Sequence, residues 1–163
     1  MENRKEAYLD IETTSIQPGD GIITVIGIYL TDGIEEKFEQ LIDEEITYRN
    51  LLNALEGADI IYTYNGTKFD LPFIKEHIGI DLGNYFQHRD LMYDCLERGL
   101  YGGLKKIEEI LGIERETAGI NGEMAVKLWE RYKAGDRNAL EILLKYNRED
   151  VMALKILKEI LFK

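Results

Sequence analysis

Residues 6–13 alternate between apolar and polar side chains, which is the pattern of a β-strand with one buried face. Successive side chains of a strand point to opposite faces, so the two sets of residues separate. One face carries Ala7, Leu9 and Ile11, and the other carries Tyr8, Asp10 and Glu12. The pattern therefore predicts a strand that presents two acidic residues on the same face.

Further strands are predicted on both sides of a turn signal at residues 31–33. Residues 21–30 are apolar throughout and rich in β-branched side chains, which is typical of a central strand. Residues 34–41 follow as a third strand, and residues 58–64 as a fourth. We expect the first three strands to form an antiparallel meander.

Most of the remaining chain has apolar residues at helical spacing. A helix is predicted to begin near Asp70, with Pro72 in its first turn, where proline is tolerated. The other predicted helices cover residues 44–55, 90–98, 104–111, 123–133 and 136–162. This order predicts an α/β fold with a small mixed sheet flanked by helices. No repeat or linker interrupts residues 1–163, so we expect a single domain.

The last predicted helix carries an acidic residue on its apolar face. At about 100° per residue, Asp150 falls among Leu143, Leu154 and Leu157 on the helix surface. Tyr146 lies one turn earlier on the same side. A buried carboxylate is costly unless it is paired, hydrogen-bonded or bound to a metal. Asp150 is therefore a partner in a buried ion pair, a residue at the edge of the core, or a metal ligand.

Asp10 and Glu12 are the second unusual feature of the pattern. Their Cα atoms are about 6.6 Å apart on a strand, and like charges so placed repel unless a cation lies between them. A solvated strand face is the alternative interpretation. Asp70 is a further acidic candidate, although its position before Pro72 also suits a helix N-cap.

Composition narrows the range of functions. The formal net charge of −11 argues against a nucleic-acid binder that relies on a basic face, although bound metal ions can hold phosphate on an acidic chain. The one cysteine, Cys95, cannot form an intrachain disulfide or a multi-cysteine zinc site, and we expect a reducing, cytoplasmic setting. The charged N-terminus is unlike a signal peptide, and the longest apolar run, residues 21–30, is too short for a bilayer.

Three segments together resemble the exonuclease motifs of the DEDD superfamily, which has a ribonuclease-H-like fold. Residues 8–14 (YLDIETT) resemble the first motif, and residues 64–72 (YNGTKFDLP) resemble the second in the form found in family B DNA polymerases. Residues 146–150 (YNRED) match the third, with tyrosine four residues before the aspartate. The resemblance covers residues 8–154 and is closest to the tyrosine (DEDDy) subgroup, as a stand-alone domain.

The resemblance implies a 3′–5′ exonuclease that hydrolyses phosphodiester bonds at single-stranded 3′ ends of DNA or RNA. Two divalent cations, Mg²⁺ or Mn²⁺, would be bound by four acidic residues, and such hard cations prefer oxygen ligands. These residues are Asp10, Glu12, Asp70 and Asp150. Tyr146 would orient the attacking water, because an ordinary tyrosine is a poor general base at neutral pH.

Substrate contacts are expected from residues beside these motifs. The backbone around Thr13 and Asn65 would grip the terminal nucleotide. Phe69 would stack on a base, or alternatively would anchor its helix in the core. Candidates for phosphate contacts are Lys68, Arg89, Lys105, Lys106 and Arg148, and candidates for supplementing the metal site are Asp90 and Asp94.

Two other functions are compatible with the sequence. A catalytically silent ribonuclease-H-like module would bind nucleic acid or protein, but it would have no need for clustered, mutually repelling carboxylates. An endonuclease of the ribonuclease H type would use the same metal chemistry. The pair formed by Tyr146 and Asp150 favours an exonuclease over an endonuclease.

Overall fold

Five strands form one mixed sheet in the computed structural model, which describes residues 3–163. The strands are β1 (Glu6–Thr13), β2 (Ile23–Thr31), β3 (Glu36–Ile42), β4 (Ile60–Thr63) and β5 (Gln87–Asp90). Their order across the sheet is β3-β2-β1-β4-β5. The first three strands are antiparallel, as predicted, whereas β4 is parallel to both β1 and β5.

In the described part of the chain, six α-helices flank the sheet. They are α1 (Tyr48–Ala54), α2 (Asp70–Ile78), α3 (Leu91–Glu97), α4 (Leu104–Leu111), α5 (Gly122–Lys133) and α6 (Arg137–Leu161). Short 3₁₀ helices lie at Asp43–Glu45 and Leu82–Asn84. The predicted α/β fold with helices around a mixed sheet is confirmed. Across residues 3–163, no helix combines the length and the apolar composition needed to cross a membrane.

The two faces of β1 pack against different helices. Leu9 and the other apolar residues of the strand pack in one cluster with Leu51 of α1 and Phe73 of α2. Tyr8, on the opposite face, packs in a second cluster with Leu154 of α6. The alternation in the sequence therefore predicted the two faces correctly, and the face that carries Asp10 and Glu12 is the one that α6 covers.

A glycine in the centre of β2 allows α6 to approach the sheet closely. Gly27 pairs with Asp10 across the antiparallel ladder. A Cβ atom at Gly27 would lie 2.2 Å from Oδ1 of Asn147 and 2.8 Å from Cγ2 of Val151, both on α6. Only glycine leaves room for this approach, so Gly27 fixes the separation between β1 and α6 at the level of Asp10.

Two local predictions differ from the structure. The helix expected at residues 44–55 begins at Tyr48, because Thr47 caps it by accepting a hydrogen bond from the amide of Asn50 (3.1 Å). The helix expected from Asp90 begins at Leu91, since Asp90 ends β5 and caps α3. The sequence did not predict β5, because its four residues are polar and show no alternation of apolar side chains.

Candidate metal centre

Three carboxylates from two elements meet between the sheet and α6. One oxygen each of Asp10, Glu12 and Asp150 lie within 4.8 Å of one another. We call these three residues the acid cluster. Glu12 and Asp150 are buried, and Asp10 is partly buried. The structure thus brings together three of the four acids that the resemblance to exonuclease motifs implied as metal ligands, although they are far apart in the chain.

The acid cluster carries an electrostatic cost that a cation would relieve. Burial raises the pKa of Asp10 well above its usual range, and the charges of Asp150 and Glu12 raise it further. Burial and the charge of Asp150 do the same to the pKa of Glu12. Oε1 of Glu12 is also buried and has no hydrogen-bond partner among residues 3–163. A set of oxygen ligands in this state fits a hard divalent cation such as Mg²⁺ or Mn²⁺.

Asp70 lies beside the acid cluster but is not one of its three members. It is the first residue of α2 and does not cap the helix with its side chain. Its Oδ2 instead accepts a hydrogen bond from the backbone amide of Ile11 (3.1 Å), the residue between Asp10 and Glu12. Burial raises the pKa of Asp70 to about 7, although hydrogen bonds from backbone amides oppose the shift. The charge of Asp70 in turn raises the pKa of Asp10.

Tyr146 is buried on α6, one turn before Asp150. Burial raises the pKa of its hydroxyl far above the ordinary value, and the negative charges of the acid cluster raise it further. The phenol therefore stays protonated at neutral pH. A protonated hydroxyl donates a hydrogen bond, so its position suits the orientation of a water molecule rather than the removal of a proton.

Asn147 is a fully buried residue of the site that the sequence analysis missed. Its Nδ2 donates to the backbone oxygen of Asp10 (3.2 Å) and lies 3.4 Å from Oδ2 of Asp10. Its Oδ1 accepts a hydrogen bond from Gln40 of β3 (3.0 Å). The amide thus holds Asp10 in place. An asparagine three residues before Asp150, on the same face of a long amphipathic helix, was the signal available in the sequence.

Two basic side chains contact the carboxylate of Asp150. Nη2 of Arg115 is 2.7 Å from Oδ1 of Asp150, and Nζ of Lys105 is 3.5 Å from the same oxygen. Arg115 is held by a second buried acid, since its Nε donates to Oε2 of Glu108 (2.9 Å). Asp150 therefore makes the buried ion pair that the sequence left open as an alternative to metal binding. The sequence analysis did not identify Arg115 or Glu108.

Asp90 anchors the loop that leads from β4 to α2. Its carboxylate accepts hydrogen bonds from the backbone amides of Asn65 (2.7 Å) and Thr67 (3.2 Å). Asn65 adopts a left-handed backbone conformation (φ 60°). A Cβ atom at Gly66 would lie 2.2 Å from Oγ1 of Thr63. Asp90 thus holds the loop before Asp70 through backbone hydrogen bonds.

Comparison with known proteins gives a family for this architecture. A model described as the RNase_H superfamily matches residues 7–162. The chain belongs to the ribonuclease H superfamily. No curated protein gives a significant match to the sequence.

Solved structures show the same ribonuclease H fold at low sequence identity. One is described as "Brucella melitensis NrnC with bound Mg2+" and shares 20% identity at a TM-score of 0.64, covering 98% of this chain and 73% of the other. Another is described as "apo form of the nuclease" and shares 18% identity at a TM-score of 0.61, covering 98% of this chain and 72% of the other. These likenesses confirm the predicted fold.

Two of the predicted substrate-binding residues of this ribonuclease H-like chain, Thr13 and Phe69, use their side chains for contacts within the protein. The hydroxyl of Thr13 donates to the backbone oxygen of Ser15 (2.5 Å). The ring of Phe69 packs edge-on against Phe73, with centroids 5.1 Å apart, and joins the core beside α1 and α2. The packing of Phe69 favours the alternative role of a core anchor.

The basic residues expected to contact phosphate lie in different places. Lys105 is beside the acid cluster and partly exposed. Arg89 forms two hydrogen bonds to the carboxylate of Asp94 (3.0 and 2.7 Å). Asp94 was a candidate for supplementing the metal site, but both of its carboxylate oxygens bind Arg89. Of the remaining candidates, Lys106 is in an ion pair, Arg148 is stacked on an aromatic ring, and Lys68 is exposed to solvent.

A polar depression lies at the other end of β1 from the acid cluster, and Glu6, Tyr8 and Lys158 are among the residues that line it. The carboxylate of Glu6 is paired there, since it accepts hydrogen bonds from the hydroxyl of Tyr8 (2.7 Å) and from Nζ of Lys158 (2.9 Å). The acid cluster has an unpartnered carboxylate oxygen and is therefore the better candidate for a functional site.

Proposed function

We propose that this chain is a metal-dependent 3′–5′ exonuclease of the tyrosine (DEDDy) subgroup that acts on single-stranded DNA or RNA. The observation that carries the proposal is the arrangement of three carboxylates from β1 and α6 within 4.8 Å of one another, with Tyr146 one helical turn from Asp150. The solved structure of NrnC, which has a similar fold, is described with bound Mg²⁺ and supports the proposed choice of cation.

Four acidic residues would hold two divalent cations, Mg²⁺ or Mn²⁺: Asp10, Glu12, Asp70 and Asp150. A pair of such ions activates the attacking water and stabilises the leaving oxygen of a phosphodiester. The unpartnered Oε1 of Glu12 and the raised pKa of Asp10 supply the physical reason for this assignment. Asp70 would serve the site from its position beside Ile11.

The surrounding residues would orient the reactants. The hydroxyl of Tyr146 would stay protonated and act as a hydrogen-bond donor to the attacking water. Asn147 would fix Asp10 through its backbone oxygen. Lys105, whose Nζ lies 4.5 Å from the centre of the Tyr146 ring, would contact a substrate phosphate. The backbone near Thr13 and Asn65 would contact the terminal nucleotide, with Phe69 supporting that loop from the core.

The overall negative charge is compatible with an enzyme that binds its substrate only at the active site. With a net charge of −11, the chain as a whole repels a polyanion. Cations in the acid cluster and Lys105 beside it would provide the positive charge where the scissile phosphate lies. Such a protein would release its products readily, because few phosphates would be neutralised along the strand.

The test is degradation of 5′-labelled single-stranded RNA and DNA in Mg²⁺ or Mn²⁺, with and without EDTA. We expect a ladder of products that shorten from the 3′ end, and loss of this activity in Asp10→Asn and Asp150→Asn. Asp20→Asn, which replaces an exposed acid, is the matched control and should remain active.

Circular single-stranded substrates separate the proposal from its rivals. Cleavage of circles would identify an endonuclease and contradict the exonuclease assignment. Absence of cleavage of any substrate, when calorimetry shows that the cation binds, would instead favour the catalytically silent binding module.

A further inference from the structure

The two carboxylate oxygens of Asp150 differ in their contacts with basic side chains. Its contacts with Arg115 (2.7 Å) and Lys105 (3.5 Å) both converge on Oδ1. Asp150 and Arg115 are more than nine-tenths buried as side chains. An ion pair this deeply buried exchanges little with water, so Oδ1 is occupied by a resident guanidinium while Oδ2 carries none of these contacts.

Arg115 is held in this position from two directions. Glu108, itself buried on α4, accepts hydrogen bonds from Nε and Nη2 of Arg115. The segment just after Arg115 is tied to α6, because the carboxylate of Glu149 accepts hydrogen bonds from the backbone amides of Glu116 (2.6 Å) and Thr117 (3.0 Å). Moving the guanidinium away from Asp150 would leave Glu108 as an unpaired buried acid, which is costly.

We propose that Arg115 is a cation-specificity residue that restricts Asp150 to a single oxygen ligand and so disfavours Ca²⁺ relative to Mg²⁺. Mg²⁺ takes six ligands in a strict octahedron and binds each carboxylate readily through one oxygen. Ca²⁺ takes six to eight ligands and frequently uses both oxygens of a carboxylate. The inference rests on the proposed function, because it requires a divalent cation at the acid cluster.

The experiment compares Ca²⁺ and Mg²⁺ binding to the unmodified protein and to Arg115→Met by isothermal titration calorimetry, without nucleic acid. Removal of a positive charge strengthens the binding of both divalent cations, so the ratio of their dissociation constants isolates the effect of releasing Oδ1 from Arg115. In this variant Oδ1 keeps only the longer contact with the partly exposed Lys105 (3.5 Å). We expect Ca²⁺ binding to gain at least about fivefold over Mg²⁺ binding in Arg115→Met. Arg131→Met, which removes an exposed ion pair with Asp136, should leave the ratio unchanged.

A second substitution protects the test against loss of folding. Arg115→Gln keeps a donor for Glu108 but is too short to cover Oδ1 of Asp150 as well, and it should shift the ratio in the same direction. An unchanged ratio in the folded variants would overturn the role of Arg115 while leaving the metal site intact. If the unmodified protein bound neither cation, the proposed function and this inference would both fail.

Discussion

At the scale of single residues, Asp70 is a buried acid whose protonation changes near neutral pH. Asp70 has a pKa raised to about 7 by burial, against an ordinary value of 3.8. Between pH 8 and pH 6 the folded, metal-free protein takes up a proton at Asp70, whereas the unfolded chain does not. The folded state then binds more protons, so its stability rises as the pH falls and is lost as the pH rises through about 7.

Asp70→Asn should remove this part of the pH dependence. The asparagine oxygen can still accept the hydrogen bond from Ile11, but it cannot titrate. We expect urea denaturation in EDTA at pH 6, 7 and 8 to give a shallower slope for the variant, by at most about 1.4 kcal/mol per pH unit. Asp20→Asn should keep the slope of the unmodified protein. Parallel slopes for all three proteins would contradict the assignment to Asp70.

Tyr146→Phe tests the role of a single hydroxyl. The ring would keep its packing on α6, but the donor beside the acid cluster would be lost. We expect kcat to fall about 100-fold, the effect typical of one positioned donor or acid, with the affinity for Mg²⁺ unchanged. Steady-state kinetics and calorimetry measure the two quantities. Tyr85→Phe, at an exposed position, is the control, and an unaltered kcat in Tyr146→Phe would exclude the role.

The sequence predicted some site residues and missed others for a physical reason. Asp150 was recognisable because an acid on the apolar face of a helix is a local pattern. Arg115 was not, because its partners Glu108 and Asp150 lie 7 and 35 residues away and only the fold brings them together. Asn147 lay within the third motif and carried a local signal, but its contact with Asp10 spans 137 residues.

At the scale of elements, the site depends on how closely α6 approaches the sheet. Asp10 and Glu12 are on β1, Asp150 is on α6, and Gly27 on β2 sets the distance between them. A shift of the helix would separate the carboxylates without altering any of them. The cation affinity of the proposed metal site should therefore depend on packing as well as on ligand identity.

Gly27→Ala tests this dependence. The added methyl group would overlap Oδ1 of Asn147 and Cγ2 of Val151, so α6 must move outward. We expect the free energy of unfolding to fall by about 1–3 kcal/mol, as in other overpacked sites, and the affinity for Mg²⁺ to fall with it. Denaturant titration and calorimetry measure these changes. Gly122→Ala, where a Cβ meets no atom within 4 Å, should change neither. Retention of Mg²⁺ affinity in Gly27→Ala would contradict the idea that the close approach of α6 to the sheet determines cation binding.

Element prediction succeeded where one strand or helix carries its own pattern. The alternation in β1 and the long amphipathic stripe of α6 each specify a buried face locally. In contrast, β5 is recognisable only by its parallel pairing with β4, because its sequence, Gln87–Asp90, is polar. Its importance for the site is indirect, since Asp90 at its end holds the loop that precedes α2.

At the scale of the whole molecule, folding and cation binding act on the same charges. The chain carries a net charge of −11 and buries several acids around one point between β1 and α6. In the absence of a cation, Arg115 and Lys105 are the positive groups that contact Asp150 in the described part of the chain. A cation bound to the folded state alone must therefore stabilise that state by mass action.

Thermal unfolding measures this coupling directly. With Mg²⁺ at about 100 times its dissociation constant, the stabilisation is about 2.7 kcal/mol, which corresponds to a rise in Tm of roughly 5–10 °C for a domain of this size. Asp10→Asn should raise the Tm of the metal-free protein, because it removes an acid whose ionisation is opposed by burial and by the charges of Asp150, Glu12 and Asp70. The same variant should lose the rise caused by Mg²⁺. A variant that is less stable without metal, yet still stabilised by Mg²⁺, would mean that Asp10 is a structural residue and that the cation binds elsewhere.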